Sequence, residues 1–320
     1  MKDQPMAETS PAPYFAEIAR GPDDGAAHWL TTRDGLRIRA GHWRPQSDAA
    51  GTILMFPGRT EYIEKYGPFA TEMTARGFAV IAVDWRGQGL ADRALADRRL
   101  GHVDRFADFH EDVAALLAHA TALDLPKPWY MIGHSMGGAI GLRALHQGLP
   151  VSACVFTAPM WGIKMPAYQD TVSRILIRAL NGFGQGELRA PGTVRHSYLL
   201  ENGFAGNNLT TDLDTWAYMK KQVEQVPEFA LAGPSIQWVR EAIVECADLM
   251  RSAPRDLPII TALGGDETIV PRDPILHRMR TWPRGELISL SHARHEVLME
   301  APRHRDTFLT EMDRVFTATL

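Results

Sequence analysis

Two kinds of hydrophobic run alternate along the chain. Short, continuous apolar stretches occur at residues 51–57, 78–84, 130–132, 152–159, 257–264 and 286–290. Between them lie longer stretches with helical spacing, at 63–76, 105–123, 135–147 and 274–280, and a last one running to Leu320. Gly77 and Pro126 mark where the first two of these helices stop. Apolar runs without alternation are strands buried on both faces, and helices between them make the sheet parallel. Ahead of this unit, residues 27–32 and 36–43 flank Arg33-Asp34-Gly35, which predicts a hairpin turning at Asp-Gly.

The alternation breaks at Met160. From there to about residue 254 no strand is expected. Helices are expected near 170–180, 213–226 and 235–250, joined by Gly- and Asn-rich connections. This predicts an α/β core made of residues 1–159 and 255–320, with residues 160–254 as an inserted helical cap. The first thirteen residues, rich in Pro and Ala, read as a loose tail. Met160, Trp161, Met165, Trp216, Met219 and Trp238 read chiefly as core. An apolar insertion at the edge of the sheet that carries the site would also suit a lid over an acyl chain.

Composition narrows the function classes without choosing one. The 320 residues are 45% hydrophobic and 22% charged with a formal charge of −4, which gives no footing for a nucleic-acid partner. No apolar run approaches the roughly 20 residues that span a bilayer. The first residues, Met1-Lys-Asp-Gln-Pro, are polar and lack the apolar segment of a signal peptide. Cys154 and Cys246 lie far apart on apolar segments and read as core residues. A cytoplasmic location is the expectation, and oligomeric state is left open.

The candidate chemistry begins at Gly133-His134-Ser135-Met136-Gly137, which follows an apolar strand and opens a helix. This is the G-x-S-x-G arrangement that lifts a serine out of a sheet on a tight turn. A serine hydroxyl needs a base, and the base needs an orienting acid. Both are expected downstream on loops after strands. Asp266 and Glu267 follow one such strand, and His292 and His295 follow the next. His295 is the favoured base, because His292 lies almost on its strand. Glu267 is the favoured acid from its spacing to Val270, with Asp266 as the alternative. The backbone N–H groups of Met136 and Arg59 are the expected oxyanion donors. The Arg59 side chain is open between a surface cation and a head-group contact. His134 is expected to pack rather than to act as a base. No cofactor or metal is required.

Gly133-His-Ser-Met-Gly-Gly-Ala-Ile140, Asp84-Trp-Arg-Gly-Gln-Gly89 and Ala293-Arg-His-Glu-Val-Leu-Met-Glu300 resemble the α/β-hydrolases, in the branch of monoacylglycerol lipases, bacterial lysophospholipases and serine aminopeptidase-like enzymes. The resemblance covers the two core segments and is weak in the cap. That branch carries H-G-x-G-E in its first oxyanion loop, where this chain has Pro57-Gly58-Arg59-Thr60-Glu61. The bacterial lysophospholipases depart in the same way, with Gly-Arg followed by a stretch like Glu61-Tyr-Ile-Glu-Lys-Tyr66, and they can place glutamate in the acid position. The resemblance therefore implies an α/β-hydrolase fold and hydrolysis of a single acyl ester in a small amphipathic lipid. A monoacylglycerol lipase, a general carboxylesterase and an aminopeptidase-type enzyme are the alternatives. A non-catalytic binding protein on the same scaffold is a further one. The cap would be the surface for any peripheral membrane contact.

Overall fold

The computed structural model describes residues 9–46, 49–164 and 185–319. Its centre is a nine-stranded sheet in the order β1-β2-β3-β5-β4-β6-β7-β8-β9. The strands are β1 (Thr9–Pro11), β2 (Ala26–Thr31), β3 (Arg37–Trp43), β4 (Gly51–Phe56), β5 (Phe78–Asp84), β6 (Trp129–His134), β7 (Ala153–Thr157), β8 (Ile259–Gly264) and β9 (Gly285–Leu290). From β5 to β9 all pairings are parallel, while β1, β2 and β3 join antiparallel. The hairpin and the parallel strands fall where the hydrophobic pattern predicts them. Thr9–Pro11, expected within a loose tail, instead pairs with β2 as a short exposed edge strand.

The continuous apolar runs are explained by burial on both faces. Along β4, Ile53 and Met55 face one core, and Leu54 and Phe56 face the other. The first core is closed by α2 (Gly67–Ala75) and α9 (Pro302–Thr317), through Phe69, Met73, Phe308, Met312 and Phe316. The second is closed by α3 (Phe109–Ala122) and α4 (Met136–His146), through Phe109, Leu116, Ala139 and Ile140. The helix expected over 63–76 is a short 3₁₀ turn (Ile63–Tyr66) followed by α2. Pro68 accounts for the break, since it has no N–H to donate and belongs in a helix's first turn. The helix expected over 105–123 divides likewise into Phe106–Asp108 and α3.

Between β7 and β8 the described residues hold no strand, only the helices α5 (Tyr198–Glu201), α6 (Leu213–Gln225) and α7 (Ile236–Arg251) and a 3₁₀ turn (Pro227–Phe229). Asp212 and Ser235 cap α6 and α7 by accepting from the N–H groups of Thr215 and Trp238. The helix expected near 170–180, and Met165, lie outside the described residues. Trp161, Trp216 and Trp238 are buried, as core positions should be. Cys154 and Cys246 are both buried.

Candidate active site

Four loops meet at the carboxyl ends of the parallel strands β4, β6, β8 and β9, which is where such sheets place their sites. The loop after β6 brings Ser135 with φ +49° and ψ −117°, a strained backbone for a residue with a Cβ. The turn holds because its neighbours tie it down. Ser135 N–H donates to Thr157 O at 3.0 Å, and Ser135 O accepts from Gly138 and Met160 at 2.9 and 2.8 Å. Gly137 is required by space: a Cβ there would come within 2.0 Å of Phe56 O. Met136 is the first residue of α4, so its N–H is among those with no acceptor inside the helix.

The loops after β8 and β9 sort the competing acids and histidines by burial. Glu267 Oε2 lies 2.7 Å from His295 Nδ1, with both side chains buried. Oε1 of the same carboxylate accepts from the N–H groups of Ile269 and Val270 at 2.5 and 3.0 Å. Burial pushes the Glu267 carboxyl up. The bond to His295, its charge and the two backbone donors outweigh this and hold it below the usual carboxylate value. Asp266 instead faces His292 at 3.8 Å on the surface, where both are largely exposed. The structure thus brings together Ser135, His295 and Glu267, and leaves Asp266 and His292 outside.

The loop after β4 carries Gly58, Arg59 and Glu61. Gly58 N–H donates to the Glu61 carboxylate, Trp85 Nε1 donates to Pro57 O at 2.9 Å, and Gln88 Nε2 donates to Gly58 O at 2.8 Å. These bonds fix the loop against the elbow, leaving the Arg59 N–H as its next donor. The Arg59 guanidinium runs below Gly101, where a Cβ would meet Nη2 at 2.3 Å. It stacks over Trp238 at 5.3 Å, and Nη2 donates to Ala232 O at 2.5 Å. Its Nε has no hydrogen-bond partner. Burial pulls this arginine down to about 10, and no carboxylate among the described residues pairs with it.

Sequence reasoning missed the charged layer directly beneath these residues. Lys65 Nζ sits 2.6 Å from Glu61 Oε1 and 2.7 Å from Glu296 Oε2. His134 Nε2 lies 3.3 Å from Glu296 Oε2, Nδ1 lies 3.0 Å from Thr157 Oγ1, and the ring tilts against His295 at 4.9 Å. All four charged side chains of this layer are buried. Burial disfavours the charged imidazole of His134, yet Glu296 and Glu61 outweigh it and raise its affinity for a proton. The signal was present but indirect. Glu61 and Lys65 are four residues apart, and Glu296 follows His295. Asp84, Arg39 and Glu64 form a second buried set, in which Asp84 also accepts from the N–H groups of Ile63 and Leu90. Asp84 therefore braces loops.

Ser135 and His295 open into a cavity of about 410 Å³, the size of a small-molecule site. Met160, Leu199, Leu209, Met219, Trp238 and Val270 give it an apolar lining, and Arg59 and Lys164 lie on its wall. With Nδ1 held by Glu267, the free Nε2 of His295 has the lone pair that a hydroxyl nucleophile needs.

Residues 47–302 match the family model described as serine aminopeptidase, S33. The chain belongs to this hydrolase family. The S33 hydrolase is 32% identical over 297 residues to lysophospholipase L2 of Escherichia coli (strain K12), covering 88% of this chain and 84% of that one. It is 24% identical to the probable lysophospholipase L2 of Haemophilus influenzae, over 94% and 96% of the two chains. Among solved structures it resembles a soluble variant of monoglyceride lipase from Saccharomyces cerevisiae, with a TM-score of 0.67 at 21% identity, covering 88% and 92% of the two chains. That last likeness identifies the shared α/β-hydrolase fold.

Proposed function

We propose that this S33 hydrolase cleaves the single acyl ester of a lysophospholipid by a two-step acyl transfer. The observation that carries the reading is that Ser135 and His295, the latter held from behind by buried Glu267, open together into one largely apolar cavity. Its likeness to lysophospholipase L2 across most of both chains supports the same substrate class. In the first step His295 Nε2 takes the Ser135 proton as Oγ attacks the ester carbonyl. The oxyanion is held by the N–H groups of Met136 and Arg59. The C–O bond to the glycerol breaks, and His295 returns its proton to that leaving oxygen. Water, deprotonated by the same imidazole, then attacks the acyl-serine, releasing the fatty acid and restoring Ser135. Glu267 stays ionised and keeps His295 in the tautomer that presents Nε2 to the serine.

Residues 160–254 act as the cap over the acyl chain in this reading. Met160, Leu199, Leu209, Met219 and Trp238 all lie in that segment and line the cavity. Leu188, Leu200, Leu213 and Val244 of the same segment are exposed. In this reading such exposed apolar side chains offer contact with the lipid surface from which the substrate comes. No helix among the described residues is long and apolar enough to cross a membrane.

A peptidase reading is disfavoured by Lys65. A substrate's N-terminal amine would need a free carboxylate, and the two on the cavity wall among the described residues, Glu61 and Glu296, are both already paired with that lysine. The deciding experiment is a hydrolysis panel of lysophospholipids, monoacylglycerols and aminoacyl amides, with fluorophosphonate labelling of Ser135. Fastest turnover of lysophospholipid supports the reading. Fastest turnover of the amides, or no labelling of Ser135, overturns it.

A further inference from the structure

At the antiparallel end of the sheet, three histidines from separate elements converge. His28 lies on β2 and His42 on β3, and the register pairs His28 with Ala40 and Ala26 with His42. The two are thus diagonal neighbours on one face of the hairpin. His119, from the last turn of α3, lies over them. Ring centroids are 5.0 Å apart for His28 and His119, 5.5 Å for His28 and His42, and 6.2 Å for His42 and His119. One nitrogen from each ring can be chosen so that all three lie within 4.8 Å of one another.

What distinguishes this cluster from ordinary packing is its unmet bonding. The Nδ1 atoms of His28 and His42 and both ring nitrogens of His119 are buried without a hydrogen-bond partner. Buried polar atoms are nearly always paired, and each neutral ring has one lone pair to offer, so the three rings together ask for something that accepts three lone pairs at one point. A proton cannot do that, but a metal ion can.

We propose that His28, His42 and His119 form a three-histidine site for a divalent late transition-metal ion, Zn²⁺ foremost, which clips α3 to the β2–β3 hairpin. Imidazole-only donors suit Zn²⁺, Cu²⁺ or Ni²⁺ and not Mg²⁺ or Ca²⁺, which prefer oxygen. Zn–N bonds of about 2.0 Å bring tetrahedral donors to roughly 3.3 Å of each other, so the rings draw inward on binding. Water takes the fourth position, reached past the half-buried His28 and His42. None of the three lines the Ser135 cavity, so the ion is structural and takes no part in ester cleavage. The group Glu61, His134 and Glu296 also has ligand spacing, but the Lys65 ammonium already fills it as a cation.

The test uses untagged, EDTA-stripped protein. Calorimetry with Zn²⁺ should give one ion per chain with a Kd of about 10 μM or tighter, and a melting temperature that rises with added ion. Co²⁺ should give the visible absorption of a four-coordinate, nitrogen-rich site. The His28→Gln and His119→Gln variants should each lose about 100-fold in affinity and keep the ester hydrolysis of the stripped wild type. A wild-type Kd above about 1 mM overturns the proposal without relying on any variant. So does undiminished binding by a chain in which all three histidines are glutamine.

Discussion

The two walls of the cavity are made in different ways. The wall contributed by the sheet's loops is held by buried charge: Lys65 between Glu61 and Glu296, and Arg39 between Glu64 and Asp84, all nearly or fully inaccessible. The helical wall between β7 and β8 docks on it mostly through neutral bonds. Tyr218 Oη lies 2.8 Å from both Ala19 O and Glu64 O, between which its single proton is shared, Gln222 Nε2 donates to Ile18 O at 3.0 Å, and Thr210 Oγ1 donates to Met299 O at 2.6 Å. The ion pairs that cross between the two among the described residues, from Arg143 to Glu245 and Asp248 and from Arg189 to Asp97, involve no residue lining the cavity. Chemistry that needs fixed dipoles sits on the wall that cannot easily move. In the proposed function, selection of an acyl chain, which needs shape and apolar area, falls to the wall with weaker ties.

Substitutions on the rigid wall should therefore abolish turnover while leaving substrate binding largely intact. Ser135→Ala should lower kcat by about 10⁴-fold or more without changing the melting temperature, since it removes the proposed nucleophile from an elbow that stays folded. Steady-state kinetics on a p-nitrophenyl ester, paired with circular dichroism, reads both. Wild-type hydrolysis by the variant would dissolve the contrast between the walls. Glu267→Gln should cost about 10³-fold in kcat with little change in KM, because an amide can hold His295 in the wrong tautomer. Asp266→Asn, at the exposed alternative, should stay close to wild type. Equal losses at 266 and 267 would mean that burial does not decide which acid acts.

The sheet and the elbow were legible because each leaves a local trace. Continuous apolar runs such as Phe78–Asp84 can only be strands covered on both faces, and the glycines around Ser135 record a turn with no room for a Cβ. The acid was only partly legible, since Asp266 and Glu267 are adjacent and differ chiefly in how deeply the loop buries them. The charged layer was legible only through the Glu61–Lys65 spacing, and the histidine cluster was not legible at all. Lys65 meets Glu296 across 231 positions, and His119 meets His28 only because α3 crosses one particular face of the hairpin. Such contacts depend on strand register and helix crossing, which residue order does not record.

The support of the rigid wall can be broken without touching the reacting atoms. Lys65→Met keeps the side chain's length and removes its charge, leaving Glu61 and Glu296 facing each other in the interior. Removing one partner from a buried ion pair costs about 3–5 kcal/mol. Urea unfolding should show a loss of that order. Lys164→Met, at an exposed lysine on the opposite side of the cavity, should change stability by less than about 0.5 kcal/mol. A small effect at Lys65 would mean that water or a proton already relieves the two carboxylates, and the wall would be less rigid than its geometry implies.

The smallest expected effect is the most informative about substrate. Arg59 is where the two walls touch: its backbone belongs to the β4 loop, and its guanidinium reaches Ala232 and Trp238. It is a buried cation on an apolar cavity with no carboxylate among the described residues to balance it, which is costly unless an anion arrives with the substrate. A lysophospholipid brings a phosphodiester, and a monoacylglycerol with the same acyl chain does not. Arg59→Met preserves the stem that packs on Trp238 and deletes the charge, while its backbone N–H remains for the oxyanion. It should lower kcat/KM for lysophospholipid by about 10-fold, or about 1.4 kcal/mol, and leave the monoacylglycerol nearly unaffected. A loss shared equally by both substrates would mean that Arg59 merely pins the helical wall to the sheet. Head-group choice would then rest on groups other than this arginine.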